Sequence, residues 1–163
     1  MAQEDGQFHC LTYTSKGGLL REIVGQFEIS NAVLSTPATG GTASVVSTFT
    51  GIWDTGATNS AISQKVVDAL GLQPITATQV QTADGLTLKP VYLVNIGILN
   101  GPTIESVRVT LADLGYIDAL IGMDIITLGD FSITNKGGQT VFSFRIPSQH
   151  TIDYVKEAKD SKS

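Results

Sequence analysis

Val45–Trp53, VVSTFTGIW, runs straight into Asp54-Thr55-Gly56-Ala57, and this junction decides how the chain is read. The first stretch is apolar and β-branched, which predicts a strand. The second is a tight turn, in which Gly56 allows a backbone path and a close approach that a β-carbon would obstruct. A carboxylate on such a turn is fixed in place yet reachable. Asp-Thr-Gly occurs once in the 163 residues, and Asp-Ser-Gly does not occur at all. Taken alone, Asp54 serves equally well as a turn residue that caps a backbone loop.

Outward from the turn, the pattern stays rich in strands. On the N-terminal side, Leu20–Ser30 sets Ile23, Phe27 and Ile29 against Glu22, Gln26 and Glu28, a half-buried strand. Phe8–Thr14 reads as a short strand, and Leu34–Ser44 as a polar surface connection. On the C-terminal side, Ser63–Gly71 predicts a short helix. Ser63 is its cap, Val66, Val67 and Leu70 are its apolar side, and Gly71 is a left-handed stop. Thr76–Gln81 and Leu86–Ile98 flank Thr82-Ala83-Asp84-Gly85, where Asp84-Gly85 suits the type I′ turn of a hairpin. Thr103–Leu111 is a further strand, with Val107, Val109 and Leu111 on one face. The compact segment Ala119–Ile126 comes next, with Asp124 expected to cap Asp124–Leu128. Phe131–Thr134 and Thr140–Ile146 complete the strands, and Ser148–Ser163 reads as a polar, weakly helical, frayed tail.

Composition narrows the function. Hydrophobic residues make up 42% and charged residues 15%, with 17 glycines, which fits one strand-rich globular domain. A net charge of −5 and no Lys/Arg cluster argue against a nucleic-acid partner. Cys10 is the only cysteine, so no intrachain disulfide forms and a reducing compartment is expected. No apolar run is long enough for a membrane span. The acidic start MAQED, without an apolar core after it, leads us to expect no signal peptide and a cytoplasmic protein. The opening Met1 favours a stand-alone gene product. His9 and Cys10 are neighbours whose side chains leave a strand on opposite faces, so they make no thiol–imidazole pair. Asp113, Asp118, Asp124 and Asp130 lack calcium-loop spacing, and no metal or organic cofactor is expected.

Three features in this order resemble the retropepsin family, the dimeric retroviral-type aspartic peptidases: Ile52-Trp53-Asp54-Thr55-Gly56-Ala57-Thr58, the hairpin at Asp84-Gly85, and Leu120-Ile121-Gly122. The chain is most similar to the stand-alone, bacterial-type members that run Asp-Thr-Gly-Ala and later Ile-Gly-Met-Asp. The resemblance covers about Leu20 to Ile146. It implies an all-β, closed barrel-like acid protease fold with one or two short helices. It divides the chain into an N-terminal segment (1–19) with a possible interface strand, the peptidase domain (20–146) and a polar tail (147–163).

The resemblance also implies the chemistry. Peptide hydrolysis by this route needs two carboxylates around one water, and one chain carries one signature, so the expected enzyme is a homodimer acting on a peptide or protein substrate. Catalytic roles fall to Asp54, Thr55 and Gly56, with Thr55 bonding across to the other subunit. Ala57, Ala83, Asp84 and Gly85 are the substrate-binding positions. Leu120, Ile121 and Gly122 support the catalytic loop. Phe8–Thr14 and Thr140–Ile146 are candidates for the dimer interface. Ala57 stands where pepsin-like enzymes carry Ser, which moves the expected activity optimum toward neutral pH. Retroviral members brace this loop with an acidic residue and an Arg. Thr58-Asn59-Ser60 and Met123 stand here instead, so both charges are missing together. The alternative is a catalytically silent dimeric binding or scaffold domain of the same fold.

Overall fold

The computed structural model describes residues 9–32, 45–82, 85–98 and 101–161. Phe8, the Leu34–Ser44 connection, Ala83 and Asp84 lie outside the described residues. Ten strands, three short α-helices and a 3₁₀ turn at Lys136–Gly138 make up the rest.

Seven strands form one sheet. In chain order they are β2 (Ile23–Asn31), β3 (Val46–Trp53), β4 (Ala61–Ile62), β5 (Thr76–Thr82), β6 (Gly85–Ile98), β7 (Thr103–Leu111) and β8 (Ala119–Ile121). Their spatial order is β2-β3-β8-β4-β7-β6-β5, and a further pairing of β2 with β6 closes the first six into a barrel. Closure removes the free edges that an open sheet would leave. The expected all-β, closed fold is therefore the one observed.

The barrel interior follows the alternation read from sequence. Phe27 and Ile29 of β2, Phe49 of β3, Val94 and Ile96 of β6, Val107 and Val109 of β7 and Ile121 of β8 are all buried. Each such side chain stabilises the fold by about 1.5–3 kcal/mol relative to exposure. Helix α1 (Gln64–Leu70) adds Val66, Val67 and Leu70 to the same core. It stops at Gly71, in the left-handed region at φ 59°, as expected. Ser63 stands at the N-cap, but its hydroxyl makes no capping hydrogen bond and is buried without a partner. The helix is anchored by its apolar face rather than by its cap.

A second, three-stranded sheet packs against the barrel. It contains β1 (His9–Thr14), β9 (Asp130–Thr134) and β10 (Val141–Ile146) in the order β1-β10-β9. The two terminal segments expected to meet a partner thus pair with each other, His9 opposite Ile146 through Thr14 opposite Val141. Both edges of β10 are taken within the chain. Helix α2 (Met123–Ile126) follows β8 directly.

The tail is more ordered than its composition implies. Asp130 holds its start: the carboxylate accepts the Arg145 guanidinium, the Ser148 hydroxyl and the amides of Gln149 and His150. Further on, helix α3 (Tyr154–Asp160) forms because the Asp153 carboxylate caps it, accepting the amides of Val155 and Lys156 at 3.0 Å each. No described helix is long and apolar enough to cross a membrane.

Candidate active site

Strand β3 delivers Asp54 to one end of the barrel. It pairs in parallel with β8, Ile52 beside Leu120 and Trp53 beside Ile121. The pairing continues one step beyond the strand, since the Asp54 amide donates to the Ile121 carbonyl at 2.9 Å. The backbone then turns, and the Gly56 amide donates to Asp54 Oδ1 at 2.8 Å. A β-carbon at Gly56 would sit 3.1 Å from that same oxygen, which is tight and would push the carboxylate aside. No other hydrogen bond reaches the Asp54 carboxylate among the described residues. One oxygen is therefore fixed by the turn and the other is open to a water or a second acid.

Asp54 is half-buried, Thr55 and Gly56 are exposed, and Ala57 is half-buried. The turn lies at the surface of the single chain. Behind it, the packing is dense. Trp53 points inward and touches four phenylalanine rings, with centroid separations of 5.5 Å to Phe27, 5.9 Å to Phe131, 5.4 Å to Phe142 and 4.9 Å to Phe144. Phe131 and Phe142/Phe144 come from β9 and β10, so the small sheet buttresses the residue immediately before Asp54.

The segment after β8 is stitched to the turn residue by residue. Met123 donates its amide to the Ala57 carbonyl at 2.8 Å, and Asp124 donates its amide to the Thr58 carbonyl at 3.1 Å. Ser60, fully buried, donates its amide to Asp124 Oδ2 at 3.0 Å and its hydroxyl to Asp124 Oδ1 at 2.8 Å. The same hydroxyl accepts the Gly122 amide at 3.0 Å. This contact is possible because Gly122 has no side chain. A β-carbon there would lie 2.7 Å from the Asn59 carbonyl carbon and 2.9 Å from the Ala57 carbonyl oxygen.

Leu120, Ile121 and Gly122 divide their work. Ile121 is buried in the barrel, and Gly122 packs on the turn. Leu120 instead shares the outward face with Ile52, half-buried on the same side as the turn. The structure does not use Asp124 as the N-cap of α2, the role expected from sequence, because Gly122 occupies that position. Asp124 and Ser60 are the pair that sequence reasoning missed. Their separation of 64 positions gives no local signal, although the loss of both retroviral bracing charges left a gap to be filled.

The β5–β6 hairpin is the next feature read from the sequence. Thr82 pairs with Gly85, so the connection is two residues long and Gly85 is a paired position, at φ 113°, rather than a central turn residue. Gly85 to Pro90 pair only with β5, which makes the hairpin project beyond the barrel wall. Leu86 and Leu88 on this arm are each 67% exposed. Asp118 and Asp130 make structural contacts instead. Asp118 accepts the Thr50 amide at 3.1 Å and pairs with Lys65 at 2.9 Å. No three His, Cys, Asp or Glu side chains gather to hold a metal among the described residues.

No curated protein matches this chain. A retropepsin-like aspartic protease from Rickettsia conorii superposes over 86% of this chain and 97% of its own, at 10% identity and a TM-score of 0.47. A protein of unknown function from Legionella pneumophila superposes over 63% of this chain and 84% of its own, at 18% identity and a TM-score of 0.32. At these scores neither likeness bears on the assignment. The family model described as aspartyl protease matches residues 39–125, more than half of the chain, from before β3 into α2. The chain belongs to the aspartyl protease family.

Proposed function

We propose that the protein is an aspartic endopeptidase in which two copies of Asp54, one from each subunit of a homodimer, activate one water against a peptide bond. The observation that carries this reading is the Asp54 carboxylate itself: one oxygen is held by the Gly56 amide, the other has no hydrogen-bond partner among the described residues, and the turn is open at the surface. A single acid in that setting is half of a site. Residues 20–146 form the peptidase domain, with β1 of the N-terminal segment completing the small sheet.

The chemistry follows from bringing two such turns together. Two carboxylates a few ångströms apart cannot both ionise cheaply, so the pair holds one proton. The ionised member takes a proton from the water as it attacks the carbonyl carbon, while the protonated member donates to the carbonyl oxygen. The proton taken from the water then passes to the amine nitrogen as the C–N bond breaks, and a hydroxyl of the tetrahedral gem-diol returns its proton to the other carboxylate. Thr55, exposed beside Asp54, is placed to bond across the two-fold axis. The projecting β5–β6 hairpin serves as the flap, whose tip contains Ala83, Asp84 and Gly85. Closing it over the substrate expels water from the reacting bond. Its arms offer backbone groups to an extended peptide, and Ile52, Leu120, Leu86 and Leu88 give apolar contacts for side chains.

The test compares wild type with Asp54→Asn on a mixed peptide library. Cleavage by wild type and none by the variant is expected. Equal cleavage by both would remove the peptidase assignment, and silence of both would favour a dimeric scaffold of the same fold.

A further inference from the structure

The cleft has a charged outer corner. A cavity of about 370 Å³ is lined by Asn59, Thr76, Thr78, Val91, Arg108 and Thr110. Asn59 belongs to the catalytic turn, Thr76 and Thr78 to the base of the hairpin arm β5, and Arg108 and Thr110 to the outward face of β7. Val91 closes the floor and is buried. The walls are otherwise neutral: amide, hydroxyls and one guanidinium.

Arg108 is exposed, and it stands apart from the ion pairs of this chain. The two pairs among the described residues are Lys65–Asp118 and Arg145–Asp130. The Arg108 side chain makes no hydrogen bond or ion pair among the described residues. A guanidinium is a rigid fork of donors that matches a carboxylate bidentately. The whole chain carries a net charge of −5 and repels acidic peptides, so a cation lining this cavity is a local exception that discriminates among them.

We propose that this corner is a subsite for a carboxylate of the substrate, with Arg108 as its specificity-determining residue. The inference rests on the peptidase reading and names a feature of its substrates: an Asp or Glu side chain lying outside the two residues that flank the scissile bond. An extended peptide advances about 3.3 Å per residue. Running from the Asp54 turn beneath the hairpin, it passes Asn59 and then reaches Arg108. The dimer repeats the corner on both sides of the two-fold axis, so the preference appears symmetrically on either side of the cut.

The experiment uses peptide pairs that differ only by Glu or Gln at each outer position, cut by wild type, Arg108→Gln and Arg108→Glu. The ratio of kcat/KM for Glu over Gln is read within each protein, so a general loss of activity does not confuse it. Wild type is expected to favour Glu by about threefold to tenfold, less at high salt. Arg108→Gln is expected to bring the ratio to about one, and Arg108→Glu to invert it. A ratio of one in wild type, or an unchanged ratio in Arg108→Gln, overturns the proposal. Peptides with free and amidated C-termini separate a side-chain carboxylate from a terminal one, and a preference confined to the free terminus also overturns it. If wild type cuts nothing, the peptidase reading fails on its own. Anisotropy of dye-labelled Glu and Gln peptides on Asp54→Asn then decides the subsite: tighter binding of Glu, lost when Arg108→Gln is added, supports it, and equal binding ends it.

Discussion

Ser60 gives both of its donors to Asp124, amide to Oδ2 at 3.0 Å and hydroxyl to Oδ1 at 2.8 Å, and so ties the loop that follows Asp54 to the segment after β8 without a cation. Retroviral-type relatives are expected to brace the same loop with a charge pair. A half-buried carboxylate that takes its hydrogen bonds from neutral donors needs no partner of opposite sign to be satisfied. The lock also includes the Gly122 amide, through the Ser60 hydroxyl.

Ser60→Ala removes one donor from Asp124 and strands the Gly122 amide. Leaving buried polar groups unpaired costs about 1–3 kcal/mol. Urea denaturation is expected to show that loss, together with reduced kcat on any peptide that wild type cleaves. Unchanged stability would mean that a water replaces the hydroxyl.

Gly122→Ala places a methyl group against backbone atoms of Ala57 and Asn59 at 2.7–2.9 Å. Backbone cannot rotate away as a side chain does, and overpacking of this kind costs about 1–3 kcal/mol. The displaced atoms belong to the turn that carries Asp54, so turnover is expected to fall further than stability does. Thermal denaturation and peptide cleavage on the same preparation separate the two effects.

Trp53→Ala empties the space between the barrel and the small sheet. Deleting a buried Trp costs about 3–5 kcal/mol, and four aromatic contacts are lost with it. Trp53→Phe is expected to recover most of the stability. Trp53 is also the only tryptophan. Its fluorescence therefore reports the packing next to the Asp54 turn, and unfolding followed this way should coincide with loss of β-sheet circular dichroism.

Asp130 titrates well below the usual carboxylate range because the Ser148 hydroxyl, the Arg145 guanidinium and the Gln149 amide all favour its ionised form. The sign is that of a depressed acid: the stabilisation is complete above the unfolded carboxylate value of about 4 and fades as pH falls below it. Asp130→Asn is expected to lower the melting temperature at neutral pH and to free the tail to proteolysis. The difference from wild type should shrink steadily in acid. A difference constant down to pH 2 would refute this account.

Ala57→Ser restores the hydroxyl that pepsin-like enzymes carry beside their acid. It is expected to move the acidic limb of the pH–rate profile to lower pH, measured as kcat/KM against pH on one peptide.

Much of the barrel was legible because alternation writes itself into local sequence. Ile23, Phe27 and Ile29 announced the buried face of β2, and Val66, Val67 and Leu70 that of α1. The Asp54 turn was legible for the same reason: strand, acid and glycine are consecutive. What could not be read depends on partners distant in the chain. Asp124 looks like a helix cap in isolation, and only the fold shows Ser60 opposite it. The hairpin was located, but its register was off by one, because Gly85 suits either a turn or a paired position with positive φ. Helix α3 showed in the sequence only as weak helicity in a frayed tail, because its stability comes from one capping carboxylate, Asp153, and not from an apolar stripe.

Strand β10, occupied on both flanks by β1 and β9, has a practical meaning for handling the protein. The strands of this small sheet find their partners within one chain, so the sheet itself asks for no second copy. Under the shared-site reading, dilution silences turnover while leaving each half fully formed. Specific activity then climbs with concentration, and mixing wild type with excess Asp54→Asn poisons the enzyme by forming hybrid pairs.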